Sequence, residues 1–343
     1  MKASLIVPVY NLAAGNKVRF CLEALLAQDL PEPYEIIAVD DRSDDDSFRI
    51  LKEFEERCPG KLVALQNEKH AMQGAAKNLG LSRAKGEWIG FIDGDDWISQ
   101  DYLSSLISLG EAEGADIVGC DLQLTHEQSF APGQHIKSND PAQAGALDHD
   151  KYASLILDSG SLCTKLYRRH IIYDYDNRFP EGIFYEDNAI SNSWFLRAKR
   201  FSYLPKPLYF YYQHNTSTVH TITGKRCENR MEAARLMLSE ANRFGYFDEY
   251  KTELEASFAT LFYVNTLFSY VRGVKHPDSG FVKAMGEEML RTFPEFRSNP
   301  YYLKRTDPEE RRLIDMQLAG TGRFLLYDKL LQTWRRFRKS LRS

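Results

Sequence analysis

Glu87-Trp88-Ile89-Gly90-Phe91-Ile92-Asp93-Gly94-Asp95-Asp96-Trp97 decides how the N-terminal part of the chain folds. A short, mostly apolar run stops abruptly at three carboxylates and a glycine. Bounded by turn chemistry, such a run reads as a buried strand whose carboxyl end opens onto an acidic loop. The same grammar recurs on either side. Residues 3–9, 34–39, 61–66 and 116–121 are short apolar runs, and the helix-length segments 16–28, 46–58, 74–84 and 100–114 alternate with them. Strands alternating with amphipathic helices mean βαβ units, hence an α/β fold with a mostly parallel sheet flanked by helices. Ser43, Asp44 and Asp45 offer capping groups ahead of the second helix.

Further along, residues 125–146 dissolve into polar, Gly- and Pro-containing sequence and read as a long loop. A helix at 150–159, a strand at 163–167, a helix beginning near Glu186 and a Tyr-rich strand at 207–212 follow. After about residue 224 strand patterns vanish. Leu254, Phe258, Leu261, Phe262, Asn265 and Phe268 are expected on one helical face. The expected division is an α/β domain over 1–222, in halves of about 1–122 and 123–222, and an all-helical region over 223–343.

The chain has 343 residues, 43% hydrophobic and 27% charged, with a formal net charge of −4. These values fit a globular protein and give no global basic surplus, so nucleic acid is not an expected partner. Five scattered cysteines without CxxC spacing speak against a disulfide framework or a zinc site. No apolar run reaches the roughly 18 residues of a membrane span. The first apolar run is broken by Pro8 and has no cleavage region, so it reads as a strand and not as a signal peptide. The expected location is the cytoplasm.

Ligands of open α/β sheets bind beyond the carboxyl ends of the strands. Strand one delivers Pro8, Val9, Tyr10 and Asn11 there, strand two delivers Asp40, Asp41, Arg42 and Ser43, and strand four delivers Asp93, Gly94, Asp95 and Asp96. Lys77 and Asn78 lie on the helix before strand four. Two carboxylates about 5 Å apart repel by roughly 3 kcal/mol at an effective dielectric of 20. Asp93 and Asp95, straddling a glycine, therefore call for a cation, a raised pKa or wide splaying. Hard oxygen ligands suit Mg²⁺ or Mn²⁺, although a solvated acidic turn has the same sequence. No GxGxxG follows the first strand and no GxxxxGK[ST] occurs, so dinucleotide and P-loop sites lose their main support.

Three segments in order, residues 4–11 (SLIVPVYN), 39–45 (VDDRSDD) and 85–97 (KGEWIGFIDGDDW), closely resemble the family-two inverting glycosyltransferases with the Rossmann-like GT-A fold. The DxD at Asp93-Gly94-Asp95 belongs to that pattern. Ala76-Lys77-Asn78-Leu79-Gly80 resembles the family's Ala-Arg-Asn-x-Gly, with Lys in place of Arg. Glu186-Asp187 resembles its acceptor-side pair, and residues 208–217 resemble its late Tyr-x-Tyr-Arg segment, with Gln213 where Arg is frequent. The resemblance covers about residues 1–220. It implies transfer from a UDP-sugar to a hydroxyl of a glycan or lipid-linked acceptor, in bacterial cell-surface polysaccharide synthesis. Pro8 and Tyr10 would then frame the nucleobase, and Asp41 would accept from the uracil N3–H. Asn11, Asp40, Lys77 and Gly94 would complete the nucleotide-sugar contacts. Asp93 would lie near the ribose and Asp96 would face the donor sugar. Asp95, with Asp93 and His214, would hold Mn²⁺ or Mg²⁺. Asp187, beside Glu186, would be the general base.

Plainer roles stand beside these. Tyr10 also reads as a packed aromatic, Asp41 as a helix-entry cap, and Glu186 and Asp187 as favourable charges at a helix N-terminus. His214 reads as a loop histidine, with His220 a competing candidate. Trp88 and Trp97 read as packing. A non-catalytic UDP-binding or polysaccharide-assembly scaffold would keep the fold and tolerate the changes at Lys77 and Gln213. A nucleotidyltransferase would release pyrophosphate instead of UDP.

At the C-terminus, Tyr327, Leu330, Trp334, Phe337 and Leu341 recur at spacings of three and four beside Lys329, Arg335, Arg336, Arg338, Lys339 and Arg342. A basic amphipathic helix of this kind suits an anionic membrane surface, and so a peripheral place on its inner face. The same stripe would also suit a homodimer contact.

Overall fold

Ala3–Val9 is buried at all seven positions and forms β1, and Tyr34–Asp40, also buried throughout, forms β2 beside it in parallel. Strands apolar on both faces need cover on both faces, which helices returning between parallel strands supply. The structure is a computed structural model and describes residues 1–214 and 222–340, the side chains of residues 339 and 340 excepted. The chain divides into two compact units, residues 1–217 and 218–343.

In the first unit β3 (Leu62–Gln66) adds to β2, and β4 (Trp88–Phe91) to the other side of β1, both in parallel. The helices α1 (Lys17–Leu26), α2 (Ser47–Arg57) and α3 (Met72–Arg83) connect them. α2 shows why these segments are helical. Ile50, Leu51 and Phe54 are buried on one stripe while Arg49 and Glu53 pair on the outside. Asp45 accepts from the Ser47 N–H at 2.9 Å and so caps its start, whereas Ser43 is turned to the Asn11 N–H.

The sheet continues past β4 as a mixed one. Its order is β3-β2-β1-β4-β9-β6-β10-β5, where β5 is Trp97–Ile98, β6 Ile117–Thr125, β9 Lys165–Arg168 and β10 Arg200–Tyr212. β9 runs antiparallel to both β4 and β6, β10 is parallel to β6, and β5 is antiparallel to β10. α4 (Tyr102–Glu113) packs on β6 and β10. A Cβ at Gly110 would stand 2.6 Å from Val118 and 2.8 Å from Trp88, so this helix reaches the sheet only with glycine there. Trp88 and Trp97 are wholly buried packing residues.

Residues 125–146, expected to be loop, contain β7 (Gln134–Ile136) on β6, a 3₁₀ turn at Pro141–Gln143 and β8 (Gly145–Ala146) on β10. Polar edge strands leave no apolar alternation to read. β10 starts seven residues before the expected strand, because register shifts around Pro207 break its alternation. The helices α5 (His149–Leu157), α6 (Arg169–Tyr173) and α7 (Glu186–Arg197) complete the unit.

The second unit is helical throughout its described residues: α8 (Gly224–Arg243), α9 (Lys251–Phe258), α10 (Asn265–Gly273), α11 (Ser279–Thr292), α12 (Pro300–Arg305), α13 (Pro308–Ala319) and α14 (Thr321–Ser340). Leu254, Phe258, Phe262 and Phe268 are buried as expected, but Asn265 is exposed and Leu261 only half-buried. The cause is a π-helical turn, Ala259–Val264, between α9 and α10. Its extra residue rotates everything beyond it by about 100°, which a constant 3.6 period does not anticipate.

Lys165 on β9 is wholly buried, and its Nζ donates to the Ser161 carbonyl at 2.7 Å. Burial pushes its ammonium down to about 7. Between that value and its ordinary value of 10.5 the unfolded chain binds a proton that the folded chain does not. Stability therefore rises with pH across this window, and below about 7 the full cost of the buried charge is present. Lys165→Met should accordingly raise stability at pH 7 by roughly 2–4 kcal/mol and flatten the pH slope between 7.5 and 9.5, as urea unfolding at several pH values would measure.

Candidate active site

The carboxyl edge of the sheet gathers the expected residues into three clusters. In the first, Asp41 follows β2 directly and is buried. Its Oδ1 accepts from Asn67 Nδ2 at 2.6 Å and from the Ala71 N–H at 3.0 Å, while Oδ2 lies 2.8 Å from His70 Nδ1. The His70 ring stacks on Tyr10, with centroids 4.1 Å apart and planes 23° from parallel. Tyr10 itself is 39% exposed, so it is a surface platform and not a core aromatic. Asn11, with a φ of 52°, knits its loop to the 43–44 turn by donating to Ser43 and accepting from the Asp44 N–H. Asp40 is buried within the turn, where Oδ2 accepts from the Ser43 N–H and from Gln66 Nε2. Pro8 is buried in β1, one residue short of the strand end.

The second cluster is the turn over residues 93–96. The Asp96 N–H returns to the Asp93 carbonyl at 3.0 Å. Tyr209 of β10 braces the turn from outside. Its hydroxyl accepts from the Asp93 N–H at 3.3 Å and donates to Asp96 Oδ2 at 2.7 Å. The Tyr212 N–H takes Asp96 Oδ1 at 2.8 Å, so both oxygens of this buried carboxylate are spent inside the protein. Burial, then the charges of Asp95 and Asp93, push Asp96 well above the usual carboxylate range. Gly94 sits where a Cβ would meet the Pro8 carbonyl and the Leu12 side chain, each at 2.9 Å. Asp95 faces His214, just beyond β10, with Nε2 to Oδ2 at 2.9 Å. Asp93 has one buried oxygen, Oδ1, without a hydrogen-bond partner, and its Oδ2 receives the Cys163 thiol at 3.7 Å. Burial raises Asp93 to about 6, against the pull of Lys77.

The third cluster joins α3 to α7. Lys77 Nζ donates to Glu186 Oε1 at 2.6 Å, and both side chains are buried. Burial alone would lower the Lys77 ammonium, but the charges of Glu186 and Asp93 outweigh it and hold it above its ordinary value. Tyr185, at a φ of 66°, turns the chain into α7 and sets Glu186 and Asp187 in its first turn. Asp187 Oδ1 accepts from the Asn188 N–H at 2.9 Å and from its side-chain amide at 3.1 Å. Burial and then the charge of Glu186 raise its pKa.

His70, Asn67 and Cys163 are site neighbours that sequence reasoning passed over, and Tyr209 enters it only as part of the late tyrosine-rich segment. Asn67 and His70 follow β3, the one parallel strand end left unread. Tyr209 and Cys163 enter from β10 and the approach to β9, which motif spacing does not connect to the turn over 93–96. His220 and residues 215–217 lie outside the described residues.

The acidic turn offers part of a donor set for a hard divalent ion. Asp95 pairs with the His214 imidazole at 2.9 Å, and Asp93 Oδ1 is buried without a hydrogen-bond partner. Ions of this class commonly take one or two protein carboxylates and complete their shell with water and phosphate oxygens. Among the described residues, no group of three or more His, Cys, Asp or Glu side chains is arranged to hold a metal ion.

Residues 4–181, more than half of the chain, match the family described as Glycosyl transferase family 2. The chain belongs to that family. YibD of Escherichia coli K12, a glycosyltransferase by name, is 29% identical over 220 residues, which are 63% of this chain and 62% of YibD. TarS of Staphylococcus aureus, a poly(ribitol-phosphate) beta-N-acetylglucosaminyltransferase, is 25% identical over 278 residues, 79% of this chain and 45% of TarS. The chain thus spans less than two thirds of either relative. A crystal structure of TarS residues 1–349 in complex with UDP-GlcNAc superposes with a TM-score of 0.68 at 21% identity, covering 94% of this chain and 92% of that one. The fold is GT-A, continued by helices.

Lys77→Met should destabilise the protein by roughly 3–5 kcal/mol, because Glu186 is left as an uncompensated buried charge. Adding Glu186→Gln should recover much of that loss, and a double-mutant cycle in urea would give the coupling.

Proposed function

We propose that this enzyme moves a sugar from a UDP-sugar onto a hydroxyl of a glycan or lipid-linked acceptor, with inversion, in bacterial cell-surface polysaccharide synthesis. One observation carries the reading: the Asp41–Tyr10 platform, the turn over 93–96 and the Lys77–Glu186–Asp187 cluster all stand on one edge of one sheet. Relatives named for transfer to poly(ribitol-phosphate) support the acceptor class. A relative bound to UDP-GlcNAc supports the donor class. The nucleotide-sugar half would be residues 1–122, the acceptor half 123–222, and the helical region 223–343. The place of work would be the cytoplasm. No helix among the described residues is long and apolar enough to cross a membrane.

Tyr10 offers its ring to the nucleobase, and Asp41 accepts from its N–H. Asp187 removes the acceptor proton as that oxygen attacks the anomeric carbon. The bond to the diphosphate breaks on the opposite face, and UDP departs with the electron pair. A pKa raised by burial and by Glu186 makes Asp187 a stronger base than an ordinary carboxylate. Lys77 keeps Glu186 engaged, so the proton has one destination. Mn²⁺ or Mg²⁺, held by Asp95 and His214 with Asp93, would supply positive charge to the departing diphosphate.

Asp187→Asn should bind UDP within about two-fold of the parent and lose transfer by at least about 10²-fold. Calorimetry with UDP and a UDP-release assay, run across UDP-sugars with and without Mn²⁺, would check both. Near-parental transfer by the variant overturns the base assignment. A clear preference for a GDP- or CMP-sugar overturns the donor class, and UDP binding without turnover favours a non-catalytic scaffold.

A further inference from the structure

α14 is buried on one side and apolar on the other. Phe324 and Asp328 face inward, and Asp328 pairs with Arg272 of α10 at 3.4 Å. Leu326, Leu330, Trp334 and Phe337, spaced four, four and three apart, share the opposite stripe with Tyr327 at its edge, each 48–62% exposed. A surface helix that merely caps its own unit carries polar residues there. Five large apolar side chains on one continuous stripe, three of them aromatic, mark a contact surface.

The charges around the stripe identify the partner. Residues 329–343 contain six Lys or Arg and no Asp or Glu. Removing those six from the 44 basic residues leaves 38 against all 48 acidic ones, so the rest of the chain stands at −10. Lys329, Arg336 and Arg338 are exposed alongside the stripe, and the Arg338 guanidinium lies 5.2 Å from the Trp334 ring centroid. Arg335 is held by Glu309 at 2.6 Å. A two-fold contact between copies of this face would set two wholly cationic segments against each other. An anionic bilayer offers the reverse: negative charge at the surface for the cations, and an apolar boundary just beneath it for Trp334, Phe337 and the leucines.

We propose that α14 is the site at which this protein docks on an anionic lipid surface, lying in the plane of the headgroups with its exposed apolar stripe inward. Docking of this kind needs no nucleotide, so it stands or falls separately from the sugar-transfer reading.

The test uses the full chain with vesicles of phosphatidylcholine alone or with phosphatidylglycerol. Trp88, Trp97 and Trp194 are wholly buried, so Trp334 is the tryptophan placed to meet lipid. The expected results are cosedimentation with the anionic vesicles, its loss at high salt, and quenching of Trp334 fluorescence by brominated lipid. Trp334→Phe should keep the binding and lose the quenching. Trp334→Glu/Phe337→Glu and Arg336→Glu/Arg338→Glu should each weaken vesicle binding by about ten-fold or more, with UDP binding and melting temperature unchanged. Absence of binding at low salt, equal binding to neutral vesicles, or cosedimentation without quenching would each overturn the proposal. A dimer that these variants dissolve, in a protein that ignores vesicles, would assign the face to a second copy instead.

Discussion

The buried ion pair between Lys77 and Glu186 fastens the carboxyl edge of the sheet together. The two residues are 109 positions apart and meet at 2.6 Å. Their elements come this close because Gly74 has no side chain. A Cβ there would lie 2.1 Å from the Pro180 carbonyl oxygen. One turn further along α3, Asn78 exchanges hydrogen bonds with the backbone of Phe179, taking its N–H at 3.0 Å and giving to its carbonyl at 2.9 Å. Charge pairing and amide pairing thus clasp α3 to the segment that leads into α7. Asp187, next in sequence to Glu186, is held at the sheet edge as a consequence.

That clasp answers an electrostatic difficulty. Asp93, Asp95, Asp96, Glu186 and Asp187 would repel strongly if all were ionised and left without cations. The protein meets the difficulty in three ways. Lys77 stays charged among them, burial pushes Asp93 and Asp96 toward their neutral forms, and Asp95 is left facing an imidazole. Of these five carboxylates, Asp93 keeps one buried oxygen, Oδ1, without a hydrogen-bond partner. The side chains spent on architecture, above all Asp96, are those locked to β10 by Tyr209 and the Tyr212 N–H.

What the sequence made legible follows the range of the interactions involved. β1, β2 and β4 announce themselves because burial on both faces leaves an unbroken apolar run, and their carboxyl ends placed Tyr10, Asp41 and Asp93 at one edge. β7 and β8 lie at the polar margin of the sheet and carry no such run. The turn at Ala259–Val264 shifted the phase of a helix whose every residue looked regular, and only packing reveals it. Asp96 carries a sugar-facing role only through the family resemblance, and its hydrogen-bond partners come from β10, more than a hundred residues away. His70 was missed for a simpler reason: the end of β3 carries no acidic or glycine-rich signature to draw attention.

The lysine at position 77, where the resembling family has arginine, is matched to its surroundings. Its side chain is 3% exposed, with one oxygen of Glu186 at 2.6 Å, Gln73 at 3.5 Å and the Phe179 ring 5.3 Å away. An ammonium has three donors, which this enclosure nearly satisfies. A guanidinium brings five in a planar fork and would leave donors buried without acceptors against the aromatic wall. The substitution therefore gives up bidentate recognition and keeps the positive charge. In a cluster of one cation and several carboxylates, that charge pulls against the burial that raises Asp93 and Asp187.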